Sequence, residues 1–410
     1  MTHFLFNIII VVILFFYILE SYIEYLNYTS WPSVLPDDLK EYYSPSKYVK
    51  AFFYNQEKYF LSTFINSINL IVLFLMIVMG GFNLVDSFAR SITKNAILIS
   101  VIFFITLFIA NHILMIPFQI YNTFVIENKY GFNRTGISLF IKDNIISLIL
   151  LSILIAAVVT TIIFLYEKAG KISWLYVWIL LSVFFLFIQY YYTTIIVPLF
   201  NKLTLLEKGP LYIKIKDYAK KINFPVDKIF IMDASKRSSK ANAYFSGFGK
   251  RKSIVLHDTL LLNHTDEEII AVLAHEAGHY KMKHTLQMFV VSSISSGIMI
   301  YLLFQFVDTE SLSSAVGIKI PGFHGSILSF GILFGPVSFL LGTIANVISR
   351  KNENEADKFA KSTSSGKSLV SALKKFSVEH LSNLKPHKLN VFFNYTHPPT
   401  IERIHRLEND

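Results

Sequence analysis

Apolar residues occur in seven stretches of about 20 residues each, and polar residues separate them. The stretches cover residues 4–26, 60–82, 95–118, 144–166, 172–192, 284–307 and 326–348. A helix needs about 20 predominantly apolar residues to cross the hydrocarbon core of a bilayer. The pattern therefore predicts a predominantly α-helical membrane protein with seven transmembrane helices.

The predicted helices divide the chain into four segments. Residues 1–199 carry five helices, 200–283 form a polar segment, 284–348 carry two helices, and 349–410 form a second polar segment. Strand-like runs at 228–232 and 253–256 predict a small β-sheet in the first polar segment. The second polar segment is predicted to be helical, with interruptions at 362–365 and at Pro386, Pro398 and Pro399. The Tyr-rich stretch 27–57 is interpreted as a surface connection.

The composition agrees with a chain that is solvated partly by lipid. Hydrophobic residues make up 53% of the 410 residues and charged residues only 16%, whereas a soluble domain carries about a quarter charged residues. This excludes an ordinary soluble enzyme, a disordered protein and a collagen-like fibre. The chain has no Cys, so disulfides, thiol catalysis and Cys-based zinc sites are excluded. Any metal site must use His and carboxylates.

The formal net charge is +10, and its distribution predicts an orientation. In the seven-helix arrangement, 33 of the 38 Lys and Arg residues lie in loops on one side of the membrane and five on the other. Basic loops stay in the cytosol, so both polar segments are predicted to be cytosolic. The basic clusters are short and adjoin the membrane, so we expect contact with lipid and no nucleic-acid partner.

One stretch of the first polar segment has the spacing of a catalytic metal site. Thr265 followed by Glu268 is a capping-box pattern, which predicts the start of a helix. On that helix His275 and His279 are one turn apart on the same face, so both imidazoles can reach one ion. Glu276 lies beside them, where it can accept a proton from a metal-activated water. This is the HExxH arrangement of zinc proteases.

A third metal ligand is available directly after the last predicted span. Glu353 and Asp357 are one helical turn apart, so one carboxylate can bind the metal while the other accepts the free N–H of a ligating His. Glu355 points elsewhere on the helix and is expected to be solvated. An isolated charged helix end would not indicate a site, but the HExxH pattern at the corresponding membrane face favours one.

These motifs resemble those of the eukaryotic-type CAAX prenyl proteases, an integral-membrane HExxH zinc metalloprotease family. The resemblance rests on His275-Glu-Ala-Gly-His279 and Glu353-Asn-Glu-Ala-Asp357, and on segments at 198–202, 242–245, 254–260 and 396–399, which follow in the same order. It covers most of the chain and includes the seven-helix count. It implies a cytosolic zincin-like metalloprotease domain containing the small sheet, and a location in the endoplasmic reticulum membrane.

The resemblance also implies roles for individual residues around one Zn²⁺ ion. His275, His279 and Glu353 would bind the zinc, and Glu276 would act as the general base. Asp357 would support one of the ligands.

Further roles concern the substrate. His397 and Arg403 resemble family residues near the scissile carbonyl, where a donor or cation would stabilise the oxyanion. Asn242, Ala243 and Tyr244 resemble an edge strand to which a peptide substrate adds by backbone pairing.

The predicted function is therefore a zinc-dependent membrane endopeptidase that removes the last three residues of isoprenylated CAAX proteins. Its expected partners are these substrates and membrane lipid. One alternative is a quality-control zinc protease of membrane proteins without a prenyl requirement. Another is a non-enzymatic membrane transporter or scaffold with a structural metal site. Structural zinc normally has four protein ligands, so three ligands and an adjacent free Glu favour an enzyme.

Overall fold

The computed structural model describes residues 2–32, 34–35, 40–41, 43–247 and 252–409. Within these ranges the chain forms seventeen α-helices and one four-stranded sheet. The predicted class, a predominantly α-helical membrane protein with a small sheet, is confirmed.

Six long helices of the described chain are strongly apolar, with their side chains mostly facing outward. They are α1 (Thr2–Thr29), α2 (Pro45–Val78), α4 (Ala96–Ile120, extended by a π-helical segment Tyr121–Glu127), α5 (Ile137–Ala169), α6 (Ser173–Tyr191, followed by a π-helical segment Tyr192–Ile196 and by α7, Val197–Phe200) and α11 (His284–Phe306). In the described ranges, five helical stretches are long and apolar enough to cross a membrane. One of them, Ile137–Phe200, contains both the fourth and the fifth predicted spans. The predicted count of seven is therefore not confirmed.

The last predicted span, 326–348, is not one straight helix. It is divided between α13 (Phe323–Leu333) and α14 (Gly335–Thr363), whose axes differ by 56°. If this bent pair counts as one crossing, the structure has six candidate spans. Pro336 lies in the first turn of α14. Because proline has no N–H to donate to the preceding turn, it favours a kink or a new helix start at this position.

The expected surface connection at 27–57 is wrong for much of its length. Helix α2 begins at Pro45, and the side chains of Tyr43 and Tyr48 are fully buried. They pack in a cluster that includes Leu381, and the Tyr43 hydroxyl donates a hydrogen bond of 2.7 Å to the Ser377 carbonyl. Tyrosine can be buried in this way because its ring adds apolar contact while its hydroxyl finds an acceptor.

The sheet is mixed and small. Its strands are β1 (Leu203–Leu205), β2 (Lys228–Met232), β3 (Ala243–Ser246) and β4 (Ser253–His257), in the spatial order β1-β2-β4-β3. Strand β2 is antiparallel to β1 and parallel to β4, and β3 is antiparallel to β4. Both strands predicted from the sequence are confirmed. Strand β3 lies at an edge of the sheet.

Shorter helices surround the sheet and the ends of the long helices. They are α3 (Gly81–Ile92), α8 (Pro210–Lys221), α9 (Asp258–Asn263), α10 (Asp266–Lys281), α12 (Glu310–Ala315), α15 (Gly366–Glu379), α16 (Lys388–Asn394) and α17 (Thr400–Asn409). The helical prediction for 349–410 is confirmed, and α14 and α15 are separated near the expected interruption at 362–365.

Helix α10 is held against the sheet by a buried apolar core. Ile229 and Leu256 of the sheet pack with Ile269 and Leu273 of α10, and all four are at most 2% exposed. Complete burial of such a side chain contributes roughly 1.5–3 kcal/mol. The core therefore fixes the HExxH helix beside the edge strand.

Candidate metal centre

Helix α10 begins at the capping box that the sequence predicts. The Thr265 side chain accepts a hydrogen bond from the Glu268 backbone N–H, and the Glu268 carboxylate accepts one from the Thr265 N–H. Glu268 also accepts hydrogen bonds from Ser371 and Lys375 of α15 at 2.6 and 2.7 Å. Burial alone would raise the pKa of Glu268, but these hydrogen bonds outweigh burial and lower it. The start of α10 is thus tied to α15 by an ionised carboxylate.

Helices α10 and α14 approach each other very closely at Gly278. A Cβ atom at this position would lie 2.9 Å from the Ala356 Cα, 3.1 Å from the Ala356 carbonyl oxygen and 3.2 Å from the Phe359 Cβ. Glycine therefore allows a backbone approach that a larger residue would prevent. This approach brings the carboxylates of α14 opposite the histidines of α10.

His275, His279 and Glu353 converge on one point. The two Nε2 atoms are 3.2 Å apart, Glu353 Oε2 lies 3.3 Å from His275 Nε2, and Glu353 Oε1 lies 3.1 Å from His279 Nε2. Tetrahedral ligands about 2.0–2.1 Å from a zinc ion lie about 3.3 Å from one another. Two imidazole nitrogens and a carboxylate at these distances need a shared cation, either protons or a metal ion. In spacing and chemistry, these residues fit one zinc ion.

The protonation of these groups agrees with a site for a cation. Burial alone would raise the pKa of Glu353, but hydrogen bonds with His275 and His279 hold it well below its usual range. Burial alone would lower the pKa of His275, whereas its contacts with Asp357 and Glu353 raise it to about 9. Because a metal ligand must be unprotonated, metal binding here would release a proton.

Asp357 and Arg403 lie directly behind His275. Asp357 Oδ1 is 2.7 Å from His275 Nδ1. Arg403 donates hydrogen bonds to both oxygens of Asp357, and its Nη1 lies 3.6 Å from Glu353 Oε2. The contact with Asp357 fixes the orientation of the His275 ring and directs Nε2 towards the convergence point.

His284 supports the other imidazole, and the sequence analysis did not identify it. Its side chain is 3% exposed, with Nδ1 3.2 Å from His279 Nδ1 and Nε2 3.1 Å from Glu355 Oε2. The Glu355 side chain is 40% exposed, in agreement with the expected solvation, and it also contacts His284. Lys283, with φ 59°, turns the chain between α10 and α11 and places His284 beside His279. The signal was a third histidine five residues after the motif.

Glu276 and His397 adjoin the three converging residues. Burial raises the pKa of the Glu276 carboxyl above its usual value, and the neighbouring His275 and His279 oppose part of this rise. His397 Nε2 lies 3.2 Å from Glu353 Oε1, although the His397 side chain is 60% exposed. The structure thus brings His397 to the site from a distant part of the sequence.

The predicted substrate strand runs past the site. Asn242 directly precedes β3, and its side chain accepts a hydrogen bond of 2.9 Å from the Ala243 N–H. A cavity of about 560 Å³ lies at the Asn242 end and is also lined by Arg403. A second cavity, of about 720 Å³, is lined by Tyr244 and by Glu276. The edge strand therefore leads from one cavity to the other beside the candidate metal centre.

Two family models together match nearly the whole chain. Residues 24–202 match the model described as CAAX prenyl protease N-terminal, five membrane helices, and residues 206–410 match peptidase family M48.

Curated relatives and a solved structure give the same result. The sequence is 33% identical to a probable CAAX prenyl protease 1 of Schizosaccharomyces pombe, over 96% of this chain and 85% of the relative. It is 32% identical to a CAAX prenyl protease 1 homolog of Arabidopsis thaliana, over 96% of this chain and 95% of that protein. The crystal structure of S. mikatae Ste24p is similar with a TM-score of 0.94 and 29% identity, covering 98% of this chain and 99% of that one.

Proposed function

Because the chain belongs to peptidase family M48 and to the CAAX prenyl proteases, we propose that this metalloprotease removes the last three residues of isoprenylated CAAX proteins. The observation that carries the proposal is the convergence of His275, His279 and Glu353 beside Glu276 and an edge strand. The named relatives supply the substrate class.

In this proposal His275, His279 and Glu353 hold one Zn²⁺ ion. Three protein ligands leave a position open for water and substrate, as in catalytic zinc sites. When bound, zinc supplies Lewis-acid chemistry that acidifies water and polarises the peptide carbonyl. Asp357 keeps the His275 ring in place through the 2.7 Å contact with Nδ1.

Glu276 is the general base and then the general acid. Its carboxylate removes a proton from the attacking water and delivers it to the departing amine. Burial raises the pKa of Glu276, which strengthens the carboxylate as a base. His397 Nε2 lies 3.2 Å from Glu353 Oε1 and Arg403 Nη1 lies 3.6 Å from Glu353 Oε2, which supports a role for both near the scissile carbonyl. We assign both to stabilisation of the oxyanion that forms on the scissile carbonyl.

The substrate binds as an additional strand on β3. Strand β3 pairs with β4 through one of its edges, and an extended peptide can pair with the other by backbone hydrogen bonds. Asn242, Ala243 and Tyr244 therefore contact the peptide on either side of the scissile bond. The expected product pair is a prenylated protein that ends in Cys and a free tripeptide.

We further propose seven membrane crossings. The stretch Ile137–Phe200 has 64 residues, and as one helix it would be about 96 Å long, about three times the hydrocarbon thickness. Helices α5 and α6 instead pack against each other, with Gly170 at φ 57° between them. They count as two crossings, and the bent pair α13 and α14 adds a seventh.

The catalytic segments face the cytosol in this arrangement. The distribution of Lys and Arg supports that orientation, and prenylated CAAX tails are cytosolic. We place the protein in the endoplasmic reticulum membrane by the family resemblance. The comparisons do not favour the quality-control or scaffold alternatives.

The proposal is tested with the purified full-length protein in detergent. It should cleave a farnesylated CAAX peptide, lose activity on chelation, and cleave the unprenylated peptide more slowly. Equal cleavage of both peptides would favour a quality-control protease. Retention of zinc without any proteolysis would favour a scaffold.

A further inference from the structure

The cavity at the Asn242 end of β3 contains three cationic side chains in its lining, and we call it the tail cavity. It has a volume of about 560 Å³, and no Asp or Glu is among the described residues that line it. The three cations are Arg237, Lys240 and Arg403, of which Arg237 is paired with Asp143 and Arg403 with Asp357. The positive potential that favours an anionic group in this cavity therefore comes mainly from Lys240.

The charge of Lys240 is only partly compensated. Its Nζ lies 3.4 Å from Glu127 Oε2 and 4.3 Å from the centre of the Phe132 ring. Glu127 is shared, because Lys58 Nζ is 3.3 Å from its Oε1. Two ammonium groups thus face one carboxylate.

The positive potential reaches His380. Burial lowers the pKa of His380 to about 4, and the nearby Lys240 adds to this effect. Among the described lining residues, the buried side-chain atoms without a hydrogen-bond partner are Arg237 Nη1, His257 Nδ1, Ser377 Oγ and His380 Nε2. Buried polar groups are normally paired, and a guanidinium nitrogen can only donate, so a ligand that enters this cavity with an acceptor oxygen would pair with Arg237 Nη1.

The cavity at the other end of β3 has a more aromatic lining, and we call it the aromatic cavity. Its lining includes Phe224, Tyr244 and Tyr280, and also three lysines, Lys252, Lys281 and Lys283. It also includes Tyr192, directly after α6, and Leu286 of α11. It therefore opens between helices that we place in the membrane, which suits the apolar part of a prenylated substrate. A peptide on β3 would then have its other end in the tail cavity.

We propose that the tail cavity binds the C-terminal carboxylate of the CAAX substrate, with Lys240 and His380 as specificity residues. The inference rests on the proposed function. Three residues follow the scissile bond, and in extended form they span about 10 Å. The carboxylate accepts hydrogen bonds from the donors of the lining, and the cavity sets the cleavage position by binding the chain end.

The test compares two farnesylated CAAX peptides that differ only at the chain end, one with a free carboxylate and one with a carboxamide. Full-length zinc-loaded protein in detergent is used, and tripeptide release is followed by mass spectrometry. Charged hydrogen bonds are worth about a tenfold effect or more. The wild-type protein should therefore show about a tenfold higher KM for the amide, with a much smaller change in kcat.

Variants locate the effect in the cavity. Lys240→Met and His380→Gln should each reduce the acid-to-amide preference to less than about threefold, whereas Lys240→Arg should retain most of it. Lys208→Met and His405→Gln change exposed residues outside the cavity and should keep the wild-type preference. Zinc content and thermal unfolding establish that each variant is folded. If Lys240→Met does not fold, the acid-to-amide preference of His380→Gln alone tests the inference.

Two results would overturn the inference while leaving the proposed function intact. One is equal cleavage of acid and amide by the wild-type protein. The other is a strong preference that both folded variants retain, since the carboxylate would then bind elsewhere. Failure of the zinc-loaded wild-type protein to cleave either peptide would instead refute the proposed function, and this inference with it.

Discussion

Arg403 binds Asp357 through two hydrogen bonds, from Nε to Oδ2 at 2.8 Å and from Nη2 to Oδ1 at 2.7 Å. Both side chains are at most 11% exposed, and Asp357 also contacts His275. This paired geometry is the strongest form of an Arg–carboxylate contact. It connects α17, α14 and α10 directly behind the candidate metal centre.

Replacing Asp357 by Asn should weaken zinc binding. The substitution removes the charge that orients His275 and leaves the buried Arg403 without its partner. Loss of such a supporting carboxylate typically costs about 10–100-fold in metal affinity. Competition with a chromogenic chelator measures the change, and the exposed Asp217→Asn serves as the matched control. Unchanged zinc affinity in Asp357→Asn would show that the contact has no supporting role.

His284 should support His279 in the same manner. We expect His284→Ala to lower zinc affinity by about tenfold, because His279 Nδ1 loses its neighbour at 3.2 Å. His284→Gln should recover part of the affinity, since the amide can still hydrogen-bond. His405→Ala, at an exposed position, should have no effect. Equal zinc dissociation rates in His284→Ala and the wild-type protein would exclude this role.

Gly278 should be intolerant of even one methyl group. Gly278→Ala would push α10 away from α14, since the new Cβ would lie 2.9 Å from the Ala356 Cα. Overpacking of this kind costs about 1–3 kcal/mol, and the separation of the ligands should also reduce zinc content. Gly342→Ala on α14 meets no atom within 4 Å and should be neutral or slightly stabilising. Thermal unfolding in detergent compares the two variants. Similar unfolding temperatures for Gly278→Ala and Gly342→Ala would contradict the close approach of α10 and α14.

Glu268 should make stability depend on acidic pH. The pKa of Glu268 in the folded protein is lowered from the ordinary value of 4.5. The ionised carboxylate therefore makes its full contribution to folding stability at a pH well above 4.5. The contribution is lost as the pH falls through the folded pKa. Glu268→Gln should cost about 1–2 kcal/mol at pH 7, and the difference from wild type should shrink at low pH. The control is Glu267→Gln, whose side chain is 64% exposed. If the difference in unfolding free energy between Glu268→Gln and the wild-type protein does not change with pH, the ionised carboxylate does not contribute to stability.

Local spacing accounts for what the sequence predicts about the site. The residues within each of three groups are about one helical turn apart: Thr265 and Glu268, His275 and His279, and Glu353 and Asp357. Helix geometry alone determines which of these side chains share a face. The approach of α10 and α14 at Gly278, which local spacing does not determine, brings the histidines and Glu353 together.

The remaining features depend on contacts between distant segments. His284 meets Glu355 only because the start of α11 packs beside α14. The burial of Tyr43 depends on a carbonyl more than 300 residues away. Neither relation leaves a periodic trace in the sequence. The bend before Pro336 has a local cause in the proline, but the local sequence does not give its 56° angle.

The central claim is that Glu276 transfers protons for hydrolysis at a zinc site formed by His275, His279 and Glu353. The most direct test is tripeptide release from a farnesylated CAAX peptide by zinc-loaded Glu276→Gln protein in detergent. Gln has nearly the same size but cannot accept the proton, so the variant should retain zinc and lose at least about 100-fold in kcat. Wild-type turnover in a variant with full zinc content would contradict the account.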